Sequence, residues 1–204
     1  MNTASSTAIV IALGYLLGCI PFAVITSRMF GLADPRSYGS GNPGATNVLR
    51  SGNKVAAVLT LLGDALKGVA AVLLARWLDM GEAAALFAGV AAFVGHVFPV
   101  TLGFRGGKGV ATAAGVMLAA VPAVGLTALG IWVLVALLSR YSSLAALLAA
   151  CSAPVSGLLY THSATVCAAL AAMAGLLIWR HADNIRRLMN GTESRIGGKK
   201  TATG

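Results

Sequence analysis

VATAAGVMLAAVPAVGLTALGIWVLVALLS, residues 110–139, runs for thirty residues without a charge and is interrupted by one proline, Pro122. A membrane-spanning helix takes about 20 apolar residues. The run is too long for one span and short for two. A proline inside a helix removes a backbone donor and clashes with the preceding turn. Whether the chain crosses a membrane once or twice here decides its architecture, and the charges on either side supply the answer.

Working outward, apolar segments lie at about 6–28, 55–75 and 82–100 before the run, and at about 142–159 and 163–180 after it. Polar, basic stretches occupy 28–54, 105–108 and 180–200. The positive-inside rule places all three on the cytoplasmic side, so the chain crosses an even number of times between the second and the third. Dividing the run at Pro122 gives four crossings there and seven transmembrane helices in all, with the N-terminus outside and the C-terminus cytoplasmic. Of the 15 Lys and Arg residues, 13 then lie inside: Arg28, Arg36, Arg50, Lys54, Arg105, Lys108, Arg140, Arg180, Arg186, Arg187, Arg195, Lys199 and Lys200. Only Arg76 is outside, near Asp79 and Glu82, while Lys67 falls within a span. The short piece 110–121 reaches roughly 18 Å at a rise of 1.5 Å per residue, against an apolar core of about 30 Å. It is expected to be partly embedded or to start deep in a cytoplasmic cavity. A five-helix alternative keeps the parity, but it puts Arg140 outside and fuses the later segments into one very long span.

The composition agrees with a membrane domain. The 204 residues are 57% hydrophobic and 10% charged, against roughly 25% charged in ordinary soluble domains, and the mean hydropathy is +0.83. No strand-like alternation recurs, so the expected fold is all-α, one integral-membrane domain over 1–204. The first residues lack the early positive region of a cleaved leader. The net charge of +9 reads as topology, and no nucleic-acid partner or obligate protein partner is expected. Cys19, Cys151 and Cys167 lie in apolar segments without CxxC spacing and read as small buried hydrophobes, with an acyl-carrying cysteine as the alternative. His96, His162 and His181 lack ligand spacing, so neither a metal nor another cofactor is expected.

Three polar stretches carry the chemistry. In YGSGNPGATNVLR (38–50), Gly39, Gly41 and Gly44 permit unusual backbone, Asn42-Pro43-Gly44 signals turns, and clustered amides can form an anion-binding concavity. Ser40, Asn42, Thr46 and Asn47 add polar partners, and Arg50 adds a fork suited to phosphate. In GHVFPVTLGFRGGKGVAT (95–112), Arg105, Gly106, Gly107, Lys108 and Gly109 lead into an apolar helix whose N-terminus favours an anion. It is not a nucleotide-binding P-loop, because Leu102 and Gly109 stand where glycine and a hydroxyl residue belong. In WRHADNIRRLMNGTESRIGGKK (179–200), helical spacing puts His181 and Asn184 on one face, and the arginines suit an interface with anionic lipid. Each stretch alone also suits a solvated or anchoring loop; together they put two phosphate cradles and a histidine on one face of a membrane. Asp64 and Lys67, three apart inside a span, are either functional or a structural bridge. His96 reads as a capping or packing residue, and His162 is given no role.

SGNPGATNVLR, GHVFP…FRGGKGVAT and HADNIRRLMNGTESRIG, in this order and spacing, resemble the three motifs of the bacterial acyl-phosphate:glycerol-3-phosphate acyltransferase family over essentially the whole chain. The resemblance implies a seven-helix bacterial inner-membrane enzyme with its site facing the cytoplasm. It implies transfer of a fatty acyl group from acyl phosphate to the 1-hydroxyl of glycerol 3-phosphate, giving lysophosphatidic acid, the first acylation of phospholipid synthesis. Carried over, the catalytic residues are Ser40, Arg50, Lys108, His181 and Asn184. Gly41, Asn42, Gly44, Thr46, Asn47, Arg105, Gly106, Gly107 and Gly109 are expected to bind substrate, with a structural role for Glu193. Arg195-Ile196-Gly197 departs mildly, since lysine is common where Arg195 stands. The His-x4-Asp motif of the other acyltransferase group is absent. Either His181 or the donor's own phosphate would take the proton. The competing reading is a transporter of an anionic solute, although the polar groups cluster on one side and no half-repeat is visible.

Overall fold

The computed structural model describes residues 3–197; Lys199 and Lys200, counted above as cytoplasmic, lie outside the described residues. These form the helices α1 (Thr3–Gly18), α2 (Phe22–Met29), α3 (Ala45–Leu49), α4 (Lys54–Trp77), α5 (Gly81–Val97), α6 (Val110–Ala120), α7 (Pro122–Ser139), α8 (Ser142–Thr161), α9 (Ala164–Arg180) and α10 (Ala182–Met189), with a 3-10 turn at Val100–Leu102. No strand occurs among the described residues. Five stretches are long and apolar enough to cross a membrane: Ala4–Met29, α4, Gly81–Leu102, α7 and α8; α9 with α10, bent by 59° between them, makes a sixth. Helix α6 is apolar but has only 11 residues, so the seven-crossing expectation turns on it.

The run at 110–139 does divide at Pro122. Proline is the first residue of α7, where its missing N–H is no loss. The carbonyls left open at the end of α6 are taken by Arg76, whose Nη1 donates to Ala119 O at 2.6 Å and Nη2 to Ala120 O at 3.3 Å. A cation at a helix C-terminus also suits the dipole. Arg76 is held in turn by Glu82 at 2.6 Å.

The span expected at 6–28 is present as Ala4–Met29, but its helix is interrupted: α1 stops at Gly18 and α2 begins at Phe22. Pro21 is the physical reason, since it cannot donate to a continuing helix. The carbonyl of Ile20, at this break, accepts from Lys67 Nζ at 2.9 Å. The buried lysine of α4 therefore caps a broken helix.

The helices approach closely where small residues meet, as expected in lipid. A Cβ at Gly14 or Gly18 of α1 would overlap the carbonyl of Ala88 or Ala92 of α5. Helix α6 crosses α4 with Gly115 against the Ala65 carbonyl, and a Cβ at Gly68 would stand 2.5 Å from Thr112 O. Phe93, Val97, Val116, Val124 and Leu170 form the centre of the core. A smaller cluster of Ala23, Val48, Ala56 and Ala57 seats α3 on α2 and the start of α4.

Candidate active site

The first polar stretch is wound around Asn47. Its side chain is buried; Nδ2 donates to Pro35 O at 2.6 Å and Tyr38 O at 3.1 Å, and Oδ1 accepts the Ser40 N–H at 3.0 Å. Gly39 has φ +61°, and a Cβ there would overlap Asn47 Oδ1, so only glycine fits. Asn47 was expected to meet substrate, but its hydrogen-bonding capacity is already engaged in shaping the loop. Ser40, Gly41 and Asn42 are thereby delivered to the wall of a cavity. Thr46 points to Ser142 Oγ at 3.3 Å, and Gly44 caps the short helix α3.

The glycine loop lies flat on the end of α5. Gly106 N–H donates to Val97 O and Gly107 N–H to His96 O, both at 3.1 Å. These two amides, expected to cradle phosphate, are therefore engaged, and the glycines serve close approach instead. A Cβ at Gly106 would overlap the His96 carbonyl, and one at Gly107 the His96 ring. Gly109 has φ +84° and faces Phe93. The N–H groups of Lys108, Gly109, Val110 and Ala111 have no hydrogen-bond partner among the described residues. Those of Gly109, Val110 and Ala111 are orphan donors at the start of α6. His96 Nδ1 is 3.3 Å from Asp64, ten residues into α4 and so roughly 15 Å from its first residue.

The third stretch brings α10 and the strap at 191–197 across the start of α8. Glu193 Oε1 accepts from Asn184 Nδ2 at 2.6 Å and Ser143 Oγ at 2.7 Å, and Oε2 accepts from Arg187 Nε at 2.6 Å. Asn184 Oδ1 in turn accepts from Lys108 Nζ, so the second and third stretches are joined by a chain Lys108–Asn184–Glu193. Arg50 reaches the strap through Ser194 Oγ at 2.5 Å, linking the first stretch to the third. Arg140 fixes the strap with a mutual pair of bonds: Ile196 N–H donates to Arg140 O at 2.7 Å, and Arg140 Nη2 donates to Ile196 O at 2.9 Å. Ser194 lies within the third motif but was not singled out, and Ser143 and Arg140 lie outside the motifs; a paired serine opening an apolar segment just after a basic residue is the only trace of those two in the sequence.

The cavity between the three stretches has a volume of about 620 Å³. Ser40, Gly41 and Asn42 line one wall, Arg105, Gly106 and Lys108 a second, and Arg180, Asp183 and Arg187 a third, with Arg36 and Asp34 at the margin. Asp34 is neutralised by Arg36 at 2.6 Å, which leaves a cationic interior. Lys108 is pushed down to about 8, first by burial and then by Arg187, Arg180 and Arg50, against the pull of Glu193. His181 is pushed down to about 4, mainly by burial, and its Nδ1 lies 2.8 Å from Leu177 O. A carbonyl only accepts, so the neutral ring carries its proton on Nδ1 and leaves Nε2 as an acceptor. Arg180 Nη2 holds Gly106 O at 3.0 Å. The exposed Arg50 and the buried His181 and Asn184 do not line the cavity.

Comparison with known proteins shows the family. The sequence model of the family described as "Glycerol-3-phosphate acyltransferase" matches residues 8–191. A glycerol-3-phosphate acyltransferase of Aromatoleum aromaticum is 59% identical over 92% of this chain and 95% of its own length. One of Bordetella petrii is 57% identical over 95% of each chain. The crystal structure of PlsY (YgiH), an integral membrane glycerol 3-phosphate acyltransferase, in its glycerol 3-phosphate form superposes with a TM-score of 0.88 at 39% identity, over 94% of this chain and 96% of that one. Its lysophosphatidic acid form gives 0.86 at 38% identity, over 93% and 95%. With its apolar helices and these relatives, the protein is a multi-pass membrane protein that belongs to the glycerol-3-phosphate acyltransferase family.

Proposed function

We propose that the cavity brings acyl phosphate and glycerol 3-phosphate together and transfers the acyl group to the 1-hydroxyl, releasing lysophosphatidic acid and phosphate. The observation that carries this reading is the position of Lys108. It stands on the cavity wall beside the free amides that open α6, and it is tied through Asn184 to Glu193. Negative charge grows on the leaving phosphate as the carbonyl carbon gains its new C–O bond and loses the old one. Fixed amides and a lysine placed there act on the transition state more than on the ground state. The Gly106 and Gly107 backbone supports them.

Ser40, Gly41 and Asn42, with Arg50, are assigned to glycerol 3-phosphate. His181 Nε2 is assigned to the hydroxyl that attacks, as a hydrogen-bond acceptor. A ring held near 4 is a weak base at neutral pH. This favours the donor's phosphate oxygen as the group that removes the proton, so the phosphate leaves carrying it. The acyl chain lies along the apolar helices, open to lipid. The charge split among Lys and Arg supports seven crossings with α6 counted as one, the N-terminus outside, and a cavity facing the cytoplasm of a bacterial inner membrane.

The test uses purified protein in detergent with acyl phosphate and labelled glycerol 3-phosphate as the only substrates. Labelled lysophosphatidic acid is expected without any added protein. Binding of glycerol 3-phosphate with no acyl transfer would favour a solute carrier instead.

A further inference from the structure

Asp64, Lys67 and His96 form a buried polar cluster that the reaction above leaves unused. Lys67 Nζ is 2.8 Å from Asp64 Oδ1, and His96 Nδ1 is 3.3 Å from the same oxygen. All three side chains are nearly inaccessible, at 3%, 4% and 7% exposure for Lys67, Asp64 and His96. Charges buried among apolar helices are costly unless paired, and they persist where they serve a purpose. Lys67 caps the broken helix at Ile20. What remains is why a histidine shares its carboxylate.

The other edge of the ring answers this. His96 Nε2 faces Gly107 so closely that a Cβ there would overlap it, and the His96 carbonyl stands in the same relation to Gly106 while accepting the Gly107 N–H. One residue thus contacts both glycines that precede Lys108. Behind the ring, Nδ1 faces the Asp64 carboxylate at 3.3 Å, an ion-pair distance without hydrogen-bond geometry. A fixed plane behind a glycine pair sets the path of that backbone, and with it the direction of the next residue.

We propose that His96, anchored by Asp64, is a positioning residue that templates Gly106–Gly107 so that Lys108 and the first amides of α6 meet the leaving phosphate. The proposal rests on the acyl-transfer reading. It explains why both glycines lack a side chain although their amides are turned away from the cavity.

The test is a double-mutant cycle with His96→Asn and Gly107→Ala, assayed for kcat and for KM of each substrate. Asparagine keeps a donor toward Asp64 and removes the ring edge that faces Gly107. In the native background, Gly107→Ala should lower turnover strongly. In the His96→Asn background, the same change should cost at least about tenfold less, the coupling expected of residues in contact. His96→Asn alone should lower kcat while the KM for glycerol 3-phosphate stays within about twofold, as for a change felt in the transition state. An equal cost of Gly107→Ala in both backgrounds would overturn the proposal, because the glycine would then be needed by substrate and not by His96. Asp64→Asn, which leaves the ring in place but loosens its anchor, gives an independent measure. It should reduce kcat in a folded, monodisperse protein, and an unchanged kcat there would also count against the template. Native protein inactive toward acyl phosphate would be a failure of the acyl-transfer reading, separate from these outcomes.

Discussion

Lys108 is a cation held at odds with its surroundings. Burial and three arginines press its ammonium down to about 8, well below its ordinary value near 10.4. The unfolded chain binds this proton more tightly, so stability rises with pH across the interval between the two values. The charged amine is a burden on the fold below pH 8, and the burden fades as pH rises toward 10.5. Lys108→Met should therefore abolish turnover yet raise the melting temperature at pH 7, with the gain vanishing near pH 10.5. A melting temperature that falls at pH 7 would show Lys108 to be a structural cation. In activity, the free enzyme should lose kcat/KM for acyl phosphate as pH passes about 8. Lys108→Arg should remove that alkaline limb even at reduced rate, since guanidinium does not titrate there. His181, already neutral, contributes no limb between pH 5 and 8.

At the level of elements, the strap at 191–197 is the piece that completes the site. Glu193 holds Asn184, Arg187 and Ser143 at once, and Arg140 pins the strap by two backbone-linked bonds. Arg140→Ala should free the strap, raising hydrogen exchange of the 191–197 amides and lowering turnover while the spans stay folded. Turnover lost with exchange unchanged would instead mean that Arg140 touches substrate. Little of this was legible in the sequence, because Glu193 and Ser143 are fifty residues apart and the strap has no periodic pattern. Local punctuation was more readable. Pro122 marks a boundary that the structure keeps. Pro21 carries the same signal, yet the apolar run continues through it, and the helix break is visible only with Lys67 at Ile20. The three polar stretches were legible as a constellation, but the duties within them were not. Asn47, Gly106 and Gly107 turned out to be engaged with backbone, and a sequence does not show which amides are already bonded.

At the scale of the whole molecule, the distribution of basic residues supports the proposed orientation. Cysteines placed at Asp79 and at His162, in a background lacking Cys19, Cys151 and Cys167, should react with an impermeant thiol reagent added to intact cells. One placed at Asn190 should react only after the membrane is opened. Labelling of position 190 in intact cells would reverse the assigned topology. The short α6 has a consequence for access from water. Eleven residues rise roughly 16 Å, about half the apolar thickness that its neighbours cross. Lipid cannot fill the difference at the Lys108 end, because that end opens into a cationic, water-accessible cavity. No residue of α6 is exposed, and α4, α5 and α7 pack around it, so the shortfall lies inside the protein and not against lipid. On the topology and reaction proposed above, the missing half-span is taken up by the polar cavity, so a water-soluble acceptor would reach the level of the glycine loop without crossing an apolar layer.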